Sequence, residues 1–244
     1  MSIAEKLTTI AENEQKVYKA GKKSQHDEFW DVYQSNGTRK DYNHAFGGRG
    51  WNKETFKPKY DLKFNNMERS FLLFNDIATA FDLVEHLDNL GIKFDTKGCS
   101  RYYYAFYNAR INHLPTIDFS QAKDAANNNC FGTSHLKIID KLIFGEGSIL
   151  TNVFANAISL TTITEIEGNI CNSVDFKWSP LLKDTIINII NALSETTTSY
   201  TITFKKTAIN NAFGINVDDV TTYPEGSEFY NLRNSKSNWN FSYA

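Results

Sequence analysis

Between Gly91 and Gly168 the apolar positions repeat one short phrase three times. Phe106, Ile111, Leu114 and Ile117 are followed by Phe131, Leu136, Ile139 and Leu142, and these by Phe154, Leu160, Ile163 and Ile166. In each copy an aromatic residue precedes a run of aliphatic residues spaced by three. Each run leads into a segment whose second and fourth positions are apolar or glycine: Thr116-Ile117-Asp118-Phe119, Lys141-Leu142-Ile143-Phe144 and Glu165-Ile166-Glu167-Gly168. Alternation of period two predicts strands. From Phe94, the ends of successive segments lie 25, 25 and 24 residues apart. That period predicts a solenoid, because one such unit is too short to bury its own apolar face and must stack on its neighbours. Ile117, Leu142 and Ile166 should then stand in one inward column.

The flanks are read from the same pattern. Ser2-Ile3-Ala4-Glu5 is a capping box and Gly21 a stop, so residues 1–23 hold one helix. Ile3, Leu7, Ile10 and Val17 form a seam on it, suited either to a short coiled coil or to docking on the rest of the chain. Residues 24–60 are dense in aromatics, among them Phe29, Trp30, Tyr33 and Trp51, and read as a helical cap over the first repeat. The solenoid occupies 61–244. Strands are expected at Tyr60 to Phe64 and Ile92 to Asp95. The helix between them is capped by Thr79-x-x-Asp82, keeps Leu83, Val84, Leu87 and Leu90 inward, and ends at Gly91. Ser179-Pro180 opens another helix, Tyr200 to Phe204 is a strand, Ala208 to Phe213 is a helix stopped by Gly214, and Gly214 to Gly226 is a loop. A helix from Glu228 to Arg233 and a strand from Trp239 to Tyr243 close the chain.

Composition narrows the function classes. The chain has 244 residues, 41% of them hydrophobic, enough to bury a sizeable core in one elongated domain, or in one domain plus a small appendage. Its 26 basic and 28 acidic residues give a net charge of -2 and no basic block, which argues against a nucleic-acid or membrane-surface partner. No stretch has the length of a membrane span, and the N-terminus lacks the apolar core of a signal peptide, so synthesis in a cytoplasm is expected. Cys99, Cys130 and Cys171 are odd in number, unpaired by spacing and close to repeat positions, and read as buried free thiols.

Candidate chemistry is sparse. Gly47-Gly48-Arg49-Gly50 lacks the Lys-Ser/Thr of a phosphate loop and reads as a turn. Asp218, Asp219 and Glu225 are not at calcium-loop spacing. The five histidines are scattered, although His113 and His135 occupy equivalent places before Leu114 and Leu136. Asp95, Asp118, Glu165 and Glu167 fall on strand positions, where two acids on neighbouring strands can approach glycosidase separation, roughly 5 to 9.5 Å. Outward polar residues are also what any solvated strand carries. No nucleophile signature, cofactor or metal is expected. A binding face is expected where the alternation turns Thr116, Lys141 and Glu165 outward in one row and Asp118, Ile143 and Glu167 in the next, with Lys93 and Asp95 extending both. Such rows, about 4.8 Å apart, suit an extended polymer such as a glycan or a peptide.

Phe-x-x-Ala/Ser followed by Leu-x-x-Ile-x-x-Leu/Ile resembles the BspA-type leucine-rich repeats of bacterial and phage surfaces, without their usual Ile-Pro step. The wider layout is similar to a group of proteins encoded in phages and prophages of gut Firmicutes. The similarity is carried by Ile3 to Tyr18, Phe29-Trp30-Asp31-Val32-Tyr33-Gln34, Ala45 to Trp51, Phe56-Lys57-Pro58-Lys59-Tyr60, Ala208 to Phe213 and Asn238 to Ser242. The resemblance implies an α/β, leucine-rich-repeat-like solenoid of short parallel strands and helices with an N-terminal helix. It also implies a tail-associated virion protein that meets the host surface. Its expected partners are other virion proteins, a host-surface glycan or protein, and further copies of itself. An intracellular protein-interaction module and a glycan-degrading solenoid enzyme are the competing readings.

Overall fold

The computed structural model describes residues 52–58, 61–64, 80–123, 129–132, 135–150, 152–195 and 197–244. The N-terminal helix with Ile3, Leu7, Ile10 and Val17, the aromatic segment up to Trp51, the Gly47 to Gly50 turn and the Thr79 cap lie outside the described residues.

Among the described residues, ten short strands and four α-helices form a mixed α/β structure in which every strand pairing is parallel. β1 (Leu62–Lys63) pairs with β3 (Phe94–Asp95). β2 (Phe81–Asp82), β4 (Ile111–Leu114), β5 (Ile117–Asp118), β6 (Ile138–Ile143) and β7 (Thr162–Glu167) make the largest sheet. β8 (Val174–Phe176), β9 (Tyr200–Phe204) and β10 (Trp239–Tyr243) make a third. The helices are α1 (Leu83–Leu90), α2 (Lys183–Ala192), α3 (Lys206–Phe213) and α4 (Glu228–Asn234).

The three-residue spacing of the aliphatics has a direct structural consequence. Ile139 and Leu142 are both buried in β6 although residues three apart on a flat strand point to opposite faces. Asp140 and Lys141 between them stay partly exposed, so the strand bends there and the sheet curls. On the preceding strand the bend falls at Pro115-Thr116, which splits β4 from β5; both halves pair with β6. Leu114, Ile139 and Ile163 are partners in one row, and Ile117, Leu142 and Ile166 in the other.

Behind the sheet runs a phenylalanine stack. Rings of Phe106, Phe131, Phe154, Phe176 and Phe204 follow one another at centroid distances of 5.6, 5.3, 4.5 and 6.2 Å with interplanar angles of 15° to 28°. All five are essentially inaccessible. Each of the first three follows a left-handed residue two positions earlier: Tyr104, Asn129 and Asn152, with φ of 52°, 50° and 61°. Asn108 and Asn156 repeat that conformation two positions after. Asparagine tolerates it better than most residues, so Asn at fixed offsets from the ring marks a turn.

Several local expectations change. Asp82 itself caps α1, its carboxylate accepting the Glu85 N–H at 2.9 Å, and Leu90 at the far end is exposed. Gly91 closes the helix at φ 67°. Ser179 does not cap α2, which begins at Lys183; the Ser179 hydroxyl is buried and donates to the Ala157 carbonyl at 3.1 Å. Asn52 caps a single turn, its side-chain oxygen accepting from Glu54 and Thr55 N–H groups at 3.0 Å. Cys99 and Cys130 are buried free thiols, with burial pushing the Cys99 thiol up to about 12, whereas Cys171 is only half-buried.

Candidate ligand-binding site

The outer face of the large sheet is built by β5, β6 and β7, whose register places Lys141 opposite Glu165 and Ile143 between Asp118 and Glu167. The Lys141 ammonium reaches both Glu165 and Glu167 at 2.7 Å. These hydrogen bonds hold its pKa above the ordinary lysine value. One ammonium thus serves two carboxylates. Glu165 and Glu167 are tied to a cation, which removes them as a free acid pair.

Asp118 departs from its expected outward position. It is 6% exposed, its N–H donates to the Thr96 hydroxyl at 2.8 Å, its carbonyl accepts from the Tyr102 phenol at 2.6 Å, and its carboxylate accepts the Ser120 N–H at 2.7 Å. Segment 96–102 covers it, using partners that strand alternation does not register. Thr116 is half-buried. Lys93 and Asp95 do not extend the rows through a strand ladder: Asp95 is paired to Lys63 of β1 and accepts the Lys97 N–H at 2.8 Å, while the Lys93 N–H donates to the Asp61 carboxylate at 3.0 Å. The structure thus unites Lys141, Ile143, Glu165 and Glu167, leaves Lys93 and Asp95 on another sheet, and buries Asp118.

A second polar group on the large sheet escaped sequence reasoning. His113 of β4 lies between two carboxylates, Nδ1 at 2.9 Å from Asp82 and Nε2 at 2.7 Å from Asp140. Burial works against the charged ring, but the bonds to Asp140 and Asp82 outweigh it and raise the His113 pKa above the usual histidine value. Both ring nitrogens are engaged, so the ring has no free nitrogen to serve as a base. His135, its equivalent in the next repeat, is exposed, and the two do not face each other in the register, where His113 meets Ile138. Among the described residues no group of three or more His, Cys, Asp or Glu side chains is placed to hold a metal.

Beside this face, where β7 meets α2, two cavities adjoin. One of about 340 Å³ lies between residues 164–168 and the last turns of α2. The other, about 630 Å³, reaches from Phe144 and Glu146 to Leu193, Glu195 and Lys236. Both are lined by Gly168 and Asn169. Gly168 stands where Phe119 and Phe144 stack in the two preceding repeats, at 6.1 Å. At φ 81° a Cβ there would lie 2.1 Å from the Phe144 carbonyl oxygen. The aromatic series therefore ends at Phe144, and space opens.

No protein-family model matches this chain, and comparison with curated proteins and with solved structures finds no match either.

Proposed function

We propose that the chain is a non-enzymatic phage virion protein, a leucine-rich-repeat-like solenoid of the tail or particle surface that serves host-surface binding or a structural role. The observation that carries the reading is the registered stack of parallel strands, spaced 24 to 25 residues apart in the chain, which presents side chains in rows on one outer face. Repeat architectures use such extended faces for binding. The phage setting rests on the sequence resemblance, and attachment to other virion proteins or self-association is assigned to the helix expected from the sequence around Ile3, Leu7, Ile10 and Val17.

The engagement of Glu165 and Glu167 by Lys141, and of His113 by two carboxylates, favours binding over acid-base chemistry on this face. The test is quantitative mass spectrometry of purified particles together with the solution mass of the isolated protein. The protein should be present in a fixed number of copies per particle, and Leu7→Asp should lower the mass of any self-assembled form. Absence from purified particles overturns the virion reading in favour of an intracellular interaction module.

A further inference from the structure

The edge of β7 is covered for only part of its length. At its start α2 and the turn before it act in place of a further strand. The Leu182 N–H donates to the Thr161 carbonyl at 2.9 Å, the Thr185 hydroxyl accepts the Ile163 N–H at 3.1 Å, and the Asn188 amide donates to the Thr164 carbonyl at 3.2 Å. Past Asn188 strand and helix separate, and they are rejoined only at the bridge between Ile170 and Leu193. Glu167 uses its carbonyl toward β6, accepting the Phe144 N–H at 2.8 Å, so the Ile166 backbone groups and the Gly168 N–H turn the other way, toward the opening.

We propose that this groove, rather than the flat sheet face, is the ligand site, and that it takes a hydroxyl-rich, non-anionic glycan strand. This rests on the binding reading above and names the ligand class. Small-molecule pockets are mostly hydrophobic, with few polar groups. Here the walls carry Thr164, Asn169, Asn188 and Asn191, side chains that offer both donors and acceptors, as neighbouring sugar hydroxyls require. Asn188 spends one amide hydrogen on Thr164 and keeps its carbonyl oxygen for a ligand. Charge sets the other half of the specificity. Glu165 borders the first cavity and Glu146 and Glu195 the second, while Lys236 in the second is held by the Leu193 carbonyl at 2.6 Å. The second cavity thus sets two carboxylates against the single ammonium of Lys236, an excess that disfavours a polyanion, and the carboxylate oxygens accept hydroxyl or amino hydrogens. Because the cavities adjoin at Gly168 and Asn169, the site accommodates more than one sugar.

The experiment applies the intact protein to a printed array of neutral, amino-sugar and acidic glycans, followed by titration with the best binder. Signal is expected on neutral or amino-sugar glycans. Asn169→Ala and Asn191→Ala, both on exposed positions, should each weaken it about tenfold or more with melting unchanged, while Thr116→Ala on the sheet face should leave it intact. Absence of any glycan signal, preference for acidic glycans, or full binding by both asparagine variants overturns the proposal. Binding of an extended peptide at β7 without glycan binding also overturns it. Glycan binding by a protein absent from particles keeps the groove and removes the virion role; a particle protein without glycan binding does the reverse.

Discussion

His113 shows how a single residue acquires a property from its neighbours. Its imidazolium donates to Asp82 on one strand and Asp140 on another, and the folded pKa is raised. Stability from this contact is fully present below the unfolded value, about 6.5, and is lost as pH rises through the higher folded value. The melting temperature should therefore fall on going from pH 6 to pH 8, and His113→Gln should flatten that dependence; an unchanged slope in the variant would assign it to other groups. Gly168 makes the complementary steric case. Gly147 has a similar φ, 80°, but nothing within 4 Å of its missing side chain, whereas Gly168 faces a carbonyl oxygen. Gly147→Ala should cost about 1 to 2 kcal/mol from the left-handed conformation alone. Gly168→Ala should cost distinctly more in denaturant unfolding, and equal costs would mean the Phe144 backbone yields freely.

At the scale of elements, β6 is the strand on which the large sheet depends, since β4, β5 and β7 all pair with it. Leu142 is fully buried between Ile117 and Ile166, and Leu142→Ala should cost about 2 to 5 kcal/mol. Lys141 beside it pairs with exposed acids, and Lys141→Ala should cost little. Chemical denaturation of both variants tests the strand phase directly. Helix α2 has a different task. By lending Thr185 and Asn188 to β7 it satisfies an edge that would otherwise invite pairing with another chain. Nothing in its own amphipathic pattern, with Ile186, Ile189 and Ile190 buried, announces that role.

Across the whole molecule, the phenylalanine stack links segments that strand pairing does not. Phe154 sits just before β7, and Phe176 and Phe204 belong to the third sheet, so the 4.5 Å stacking of Phe154 on Phe176 carries packing from one sheet to the next. Phe176→Ala should cost about 3 to 5 kcal/mol. Hydrogen exchange should then show faster opening on both sides, in β7 as well as in β9; loosening confined to β8 to β10 would make the two sheets independent folding units.

The sequence by itself determined the features that depend on residues close together in the chain. The spacing of Leu114, Ile117, Ile139, Leu142, Ile163 and Ile166 yields the strands and their register, because inward positions must coincide when similar units stack. Gly91 and Gly214 mark helix ends, since each adopts the left-handed conformation that glycine favours. What only the tertiary structure decided are matters of distant partners. His113 finds Asp82 and Asp140 at separations of 31 and 27 residues, and Asp118 is drawn inward by Thr96, 22 residues away. No local periodicity encodes those meetings. The groove arises in the same way: Gly168 was legible as a break in the aromatic series, but a cavity forms beside it only because a helix, α2, and not another strand, lies against the edge of β7.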